Sequence, residues 1–266
     1  MAAGNNVIVY ILTDDENSDR VKIVQSLFTS NLFVVYVSPI TIPGGLTIAG
    51  LNQEQAVEAY RYEWVLNNAR QRHPDNHVIV IKDTSYSAAD AETIADIVAA
   101  LKESDNFDVV FLCDWMDECD KLEGFQPIAG KTISLAQSKA PNGTQALLFS
   151  PQGRDMLIGQ HKMRNGKMFS PVTLPLSDQL HNSSMAGGIT TGMLMPNLIE
   201  FDITTDPTAT YKVTKCLDKS KSGAMGMNKG IGLLSTDGSG TSSSTWIAVF
   251  LIILFIFVLI WALARK

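Results

Sequence analysis

Cysteine is scarce in this chain: Cys113, Cys119 and Cys216 are the only ones among 266 residues. So small and odd a number excludes a disulfide framework. The step from Cys113 to Cys119 matches no zinc-ligand spacing, and no histidine follows at ligand distance. The thiols therefore read as reduced side chains in or near a core that faces the cytosol. Histidine is nearly as rare, and His73, His77, His161 and His181 fall in turn-like contexts that give them no role beyond surface or loop positions. Positive charge is in deficit too. The 21 Lys and Arg against 27 Asp and Glu leave a formal net charge of −6, which excludes the basic footprint of non-specific nucleic-acid binding. The first apolar run, Val7 to Leu12, is short and has no basic stretch before it, so it reads as a strand and not as a signal peptide.

Apolar residues, by contrast, are plentiful at 45%, enough to bury a real core. They are arranged as alternating strands and helices. After Val7 to Leu12 comes a polar loop, and then Val21, Val24, Leu27 and Phe28 share one helical face; Leu32 to Val37 repeats the buried-strand pattern. A Pro/Gly loop leads into a helix from Asn52 to about Arg72, with Val57, Tyr60, Trp64 and Val65 at helical spacing and expected in the core. Val78 to Lys82 is an uninterrupted apolar run closing on a polar turn, as a strand buried on both faces requires. Ser87 to Asp90 has the form of a capping box for a helix carrying Ile94, Ile97, Val98 and Leu101. Asp108 to Leu112 is a fourth strand. This alternation specifies an α/β sandwich around a mostly parallel sheet. Thr132–Leu135 and Gln145–Phe149 are expected to form a hairpin through Pro141–Thr144. Ser150-Pro151 should open a short helix that stops at Gly159, and another should begin near Ser177. Met193 to Asp202 is the last extended piece. Ligands of such sheets sit beyond the carboxyl ends of the strands, which puts Lys82, Asp83 and Thr84 at the lip of a crevice.

Past Asp202 the composition changes. Residues 203–245 read as a linker, with Asp218 to Thr245 rich in Gly, Ser, Lys and Thr and without the GK[ST] of a phosphate-binding loop. Residues 246–264 read as a transmembrane helix. From Trp246 to Leu263 no charge occurs, about 27 Å of helix against a hydrocarbon core of roughly 30 Å. Trp246 and Trp261 sit near the two ends as interfacial anchors, and Arg265-Lys266 closes the run. The expected topology is a tail anchor holding a 1–202 domain on the cytosolic face, or on the outer face of a virion's internal membrane. The sequons at Asn142 and Asn182 would matter only in a secretory lumen.

Several segments, in order, resemble glycosyltransferase family 25, the lipopolysaccharide and procollagen galactosyltransferase-like group. VIVYILTDDENSDRVKIVQSLF is similar to its opening motif, with Arg20 at the recurrent arginine, and VIVIKDTSYSAADAETIADIVAAL to the stretch bearing its acidic triplet. FDVVFL resembles the next strand, GTQALLFSPQGRDML the Ser-x-x-Gly strand-to-helix passage, LPLSDQL the late aspartate motif with Asp178 in place, and MPNLIEFD the closing Pro-Asn turn. The resemblance spans most of residues 6 to 202 and implies a GT-A type nucleotide-sugar fold. Its departures fall on the chemistry. The family's Glu-Asp-Asp appears as Lys82-Asp83-Thr84, so only the middle acid remains to hold the cation that bridges a donor's diphosphate. The family's Ser-His is likewise absent from Ala59-Tyr60-Arg61-Tyr62.

The implied reading is a membrane-bound protein whose transferase-like domain no longer catalyses and serves structure or binding, with Lys82 a solvated strand end and no metal or other cofactor. Its partners would be the lipid bilayer and, in a membrane-containing large DNA virus, other capsid proteins that it joins to the membrane as a minor capsid component. The competing reading is an active hexose transferase. Arg20 and Lys82 would then face the diphosphate, Asp83 the ribose or a residual divalent cation, and Asp178 would act as acceptor-side base or sugar contact. A glycan-binding adaptor is the third class. Because the linker lacks apolar residues to pack, limited proteolysis of the whole protein should cut first within Asp218–Thr245 and release a domain ending near Asp202 to Asp218, as gel mobility and terminal sequencing would show. Resistance of that stretch would refute the boundary.

Overall fold

The computed structural model describes residues 6–104, 106–114, 122–128, 130–169 and 174–201. The linker and the apolar segment with Trp246 and Trp261 lie outside the described residues, as do Cys119 and Cys216. Among the described residues no helix is long and apolar enough to cross a membrane.

The first half follows the alternation read from the sequence. β1 (Val7–Thr13), α1 (Asp19–Ser26), β2 (Phe33–Pro39), α2 (Gln53–Arg72) and β3 (Val78–Lys82) succeed one another, and β1 pairs in parallel with both β2 and β3. α1 starts where the Ser18 side chain accepts the Val21 N–H. α2 starts at a reciprocal cap between Asn52 and Gln55, which satisfies two donors a bare helix end would leave open. Then come β4 (Ser85–Tyr86), α3 (Ala91–Ser104), β5 (Val109–Phe111), β6 (Leu122–Pro127), β7 (Ser134–Ser138), β8 (Ala146–Phe149), α4 (Pro151–Leu157), α5 (Leu176–Met185), β9 (Thr191–Met195) and β10 (Glu200–Phe201).

Eight strands form one sheet in the order β2-β1-β3-β8-β5-β9-β7-β6, while β10 pairs with β4 in a small separate ribbon. Six of the eight run the same way; β7 and β8 oppose them. The sheet is thus mixed, with its parallel character concentrated in β2-β1-β3. Side-chain alternation assigns each face its cover. Val7, Val9, Ile11, Ile79 and Ile81 pack with residues of α1 and α3, whereas Ile8, Tyr10, Leu12, Val78 and Val80 pack with residues of α2, α4 and α5.

Four expectations are corrected. The hairpin through Pro141–Thr144 does not form: β7 pairs with β6 and β9, and β8 inserts between β3 and β5, where all four of its side chains are buried. A turn-rich loop between two apolar runs fixes only that the chain turns, and burial on both faces draws Ala146–Phe149 to the sheet centre. The α3 cap is Asp90, whose Oδ1 accepts the Thr93 N–H at 2.7 Å; Ser87 instead donates to the Leu198 carbonyl. The buried stripe of α2 is Ala56, Ala59, Tyr62, Val65, Leu66 and Ala69, so Trp64 stands 41% exposed, and Val57 and Tyr60 are only half-buried. Small alanines let α2 approach the sheet, a signal that the search for large apolar residues misses. His73 is also more than a loop residue: its ring nitrogen meets the Tyr36 hydroxyl at 3.1 Å and its carbonyl accepts from the buried Arg154 guanidinium.

At the amino end of β5 the packing is tightest. Asp108, 1% exposed, accepts two hydrogen bonds from Arg164 and two from Thr190, which compensate its buried charge. Its carbonyl accepts the Ser150 N–H, and α4 enters against it under the Ser150 cap. Gly153 touches this backbone so closely that a Cβ there would lie 2.0 Å from the Asp108 carbonyl oxygen. Neither backbone can yield without breaking the α4–β5 contact. Gly153→Ala should therefore destabilise the domain by at least about 3 kcal/mol, read as a lowered urea midpoint, while Gly124→Ala, with open space around it, should show only the smaller strain of its φ of +64°.

Candidate functional site at the switch point of the sheet

From β1 the chain crosses to β2 on one side and, by way of α2, to β3 on the other, so the sheet's connections reverse between β1 and β3. The carboxyl ends of these two strands stay paired through Leu12 and Lys82, and they mark the place where an open α/β sheet usually takes its ligand, called the crevice below. Thr13 and Asp14 line one side, Lys82 and Asp83 the other. Because β8 runs against β3, the residues that lead into it, Thr144 and Gln145, arrive at the same edge.

Strand parity decides which way each group reaches. Lys82 continues the Val78, Val80 series toward α2, where its Nζ lies 2.5 Å from Glu58 Oε1. That carboxylate oxygen also accepts from Thr144 Oγ1 at 2.6 Å. With the two charged side chains only 25% and 21% exposed, this pair is largely withdrawn from water. Lys82 is therefore not the solvated strand end that the sequence suggested. The α/β alternation placed it at an edge, but one step of parity turns it under α2. Asp83 continues the Ile79, Ile81 series toward the opposite face. There Thr13 Oγ1 donates to its Oδ2 at 2.8 Å, and its backbone N–H donates to the Leu12 carbonyl. Thr84 accepts from Gln145 Nε2 at 2.7 Å. A second ion pair joins Arg61 of α2 to Asp14. Deeper in, the Tyr62 hydroxyl donates to the Thr144 carbonyl, and its acidity is suppressed well below that of a free phenol by burial and the nearby Glu58 charge.

The other predicted residues are more peripheral. Asp178 sits exposed in the first turn of α5, beside Ser177, whose Oγ accepts the Gly143 N–H. That bond ties the start of α5 to the 142–145 segment of the crevice. Arg20 is exposed in the first turn of α1. Lys82 and Asp83 are thus brought together at the switch point, Asp178 stands at its margin, and Arg20 is joined to none of them by a hydrogen bond or ion pair among the described residues. Asp114, buried beyond the carboxyl end of β5, accepts the Asn142 N–H at 3.1 Å, and the Asn197 amide brackets its backbone from both sides. This explains the Pro-Asn turn, whose Met195–Pro196 bond is cis. Sequence reasoning missed Glu58, Arg61, Thr13 and Thr144. Glu58 could have been found by asking which α2 residue lies one turn before Tyr62, and Arg61 by stepping a further turn on from Glu58.

Among the described residues no three His, Cys, Asp or Glu side chains converge in a metal-binding group. At the crevice, Asp83 is engaged by Thr13 and stands between Lys82 and the neutral hydroxyl of Thr84. A mainly apolar cavity of about 360 Å³ lies on the α2 side of the sheet among Ala59, Tyr62, Leu66, Phe149, Leu157 and Leu176, with Glu63 the one acid in its lining.

No family model matches this chain, and no curated protein does. Among solved structures, one titled "Crystal Structure of A197 from STIV" aligns with a TM-score of 0.36 at 9% identity, covering 71% of this chain and 81% of that one.

The half-withdrawn ion pair should be energetically coupled. In a double-mutant cycle with Lys82→Met and Glu58→Gln, each followed by urea denaturation, the coupling should be about 1–3 kcal/mol, above the range of exposed surface pairs. A coupling near zero would show that water, and not Glu58, neutralises Lys82.

Proposed function

We propose that this chain is a membrane-anchored protein whose α/β domain is of the glycosyltransferase family 25 kind, GT-A in type, and serves binding or structure without transferring sugar. The observation that carries this reading is the Lys82–Glu58 ion pair. Where the family resemblance calls for a metal-holding acid, a lysine stands, and the chain neutralises it internally. Arg61 also has an acidic partner, Asp14, although that carboxylate is 85% exposed. A crevice whose cations are already paired offers a diphosphate no free charge, and one carboxylate leaves most of a divalent ion's oxygen ligands to water. With the apolar segment 246–264 in a bilayer, the domain would stand at the cytosolic face, or at the outer face of a virion's internal membrane. A minor capsid role, joining that membrane to coat proteins, fits such a design.

The competing reading, an active hexose transferase, draws on one observation: Lys82, Asp83 and Arg61 gather at the switch point, where a nucleotide would bind. The full chain in lipid nanodiscs, given a panel of nucleotide sugars, should release nucleotide no faster than protein-free controls, with or without manganese. It should also float with liposomes, and lose that property when cut after Thr245. Lys82→Glu combined with Thr84→Asp should raise manganese affinity by calorimetry. Brisk turnover that Lys82→Ala abolishes without unfolding the protein would overturn the proposal in favour of the transferase.

A further inference from the structure

The outward face of α2 carries a groove of about 300 Å³ lined by Tyr60, Glu63, Trp64, Asn67, Asn68 and Gln71. These positions recur every three or four residues, so they form one stripe along the helix, beginning about half a turn past Glu58 and running away from the crevice. Its composition is unusual for a solvated helix face. Trp64 is 41% exposed, and Tyr60 is half-buried against the core that holds Tyr10 and Tyr36.

Two hydrogen bonds fix what the amides present. Tyr10, buried and with its hydroxyl pKa pushed up to about 12 by burial and the neighbouring Tyr36, donates to Asn68 Oδ1 at 2.9 Å. The acceptor end of that amide is thereby used, and its Nδ2 donors remain. Asn67 is set the opposite way: its Nδ2 donates to the Glu63 carbonyl at 2.9 Å, and its Oδ1 remains as an acceptor. Consecutive residues therefore offer a pre-oriented donor and a pre-oriented acceptor beside an exposed indole. Gln71 and the Glu63 carboxylate extend the polar rim.

We propose that this groove is a binding site for a neutral saccharide. Adjacent ring hydroxyls of a pyranose are each both donor and acceptor, so one accepts from Asn68 Nδ2 while its neighbour donates to Asn67 Oδ1. The apolar C–H face of the same ring lies on Trp64, with Tyr60 one turn away for a second sugar. Rigid aromatic area with a few placed polar groups is the general form of a small-ligand site, and the volume admits a monosaccharide with part of its chain neighbour. Charge decides against anionic ligands, since the lining holds no cation and one carboxylate, Glu63. Among the stripe's residues Trp64 is the one large exposed hydrophobic side chain, which suits a single sugar ring better than the broad apolar patch of a contact between copies. The site is separate from the switch-point crevice, and it stands whether or not that crevice transfers sugar.

The test uses the full chain in nanodiscs, which avoids detergents with sugar headgroups. An array of neutral oligosaccharides identifies ligands, and saturation-transfer NMR with calorimetry measures the Kd of the best one, expected between about 1 μM and 1 mM. Trp64→Ala should weaken binding at least tenfold, and Asn68→Ala should weaken it severalfold. Trp64→Phe should retain most of the affinity. Ile23→Ser, on the exposed face of α1, should change nothing. Circular dichroism would show that the Trp64 variants fold. The proposal is overturned if no neutral saccharide binds, if binding survives Trp64→Ala in a folded protein, or if Trp64→Ala instead abolishes self-association and so identifies the stripe as a contact between copies.

Discussion

The eight-stranded sheet is held together at one strand. In its order, β2-β1-β3 and β5-β9-β7-β6 meet only through Ala146–Phe149, which runs against both neighbours. An antiparallel strand begins where its neighbours end. This reversal therefore delivers Thr144 and Gln145 to the carboxyl edge, and it leaves Phe149 at the amino edge, where the chain turns directly into α4. Crowding at that second edge follows from the first. Ser150, Gly153 and Asp108 occupy a space in which one backbone rests on another, and Arg164 and Thr190 close over the buried carboxylate.

Three withdrawn ionic groups, Arg154, Asp108 and Lys82, are each matched by an opposite charge at a packing contact. Arg154, 1% exposed, is divided among Asp155 and the carbonyls of His73 and Pro74, which pins the C-terminal end of α2 to α4. Asp108 is satisfied by Arg164 and Thr190. Lys82 is satisfied by Glu58. Removing one member of such a set leaves a stranded charge, whereas the intact set contributes little beyond neutrality. These pairs position elements more than they stabilise them, and at the crevice this logic yields a closed electrostatic surface.

Much of the first half was legible from sequence because buried parallel strands and amphipathic helices leave strong periodic signals. Val7–Thr13, Phe33–Pro39 and Val78–Lys82 are where the apolar runs place them. The second half is built from short strands whose pairing depends on distant partners. Ala146–Phe149 shows the apolar run of a central strand, but nothing in its neighbourhood says that β3 and β5 flank it, and the adjacent turn residues point to the wrong mate. At the site, Lys82 and Asp83 were visible as a strand end. Their environment was not, because it depends on parity, on the rotation of α2, and on alanines that pattern reading passes over.

The Lys82–Glu58 contact also bears on how the strand end meets anions from solution. A carboxylate tethered 2.5 Å from an ammonium acts at an effective concentration far above any free solute, since its translational freedom was lost when α2 docked on the sheet. A phosphate arriving from solution can engage Lys82 only by exchange against that internal competitor. That exchange weakens any anion's hold on Lys82 by the strength of the internal pair, so the closeness of one α2 carboxylate sets how strongly this strand end can attract negative charge.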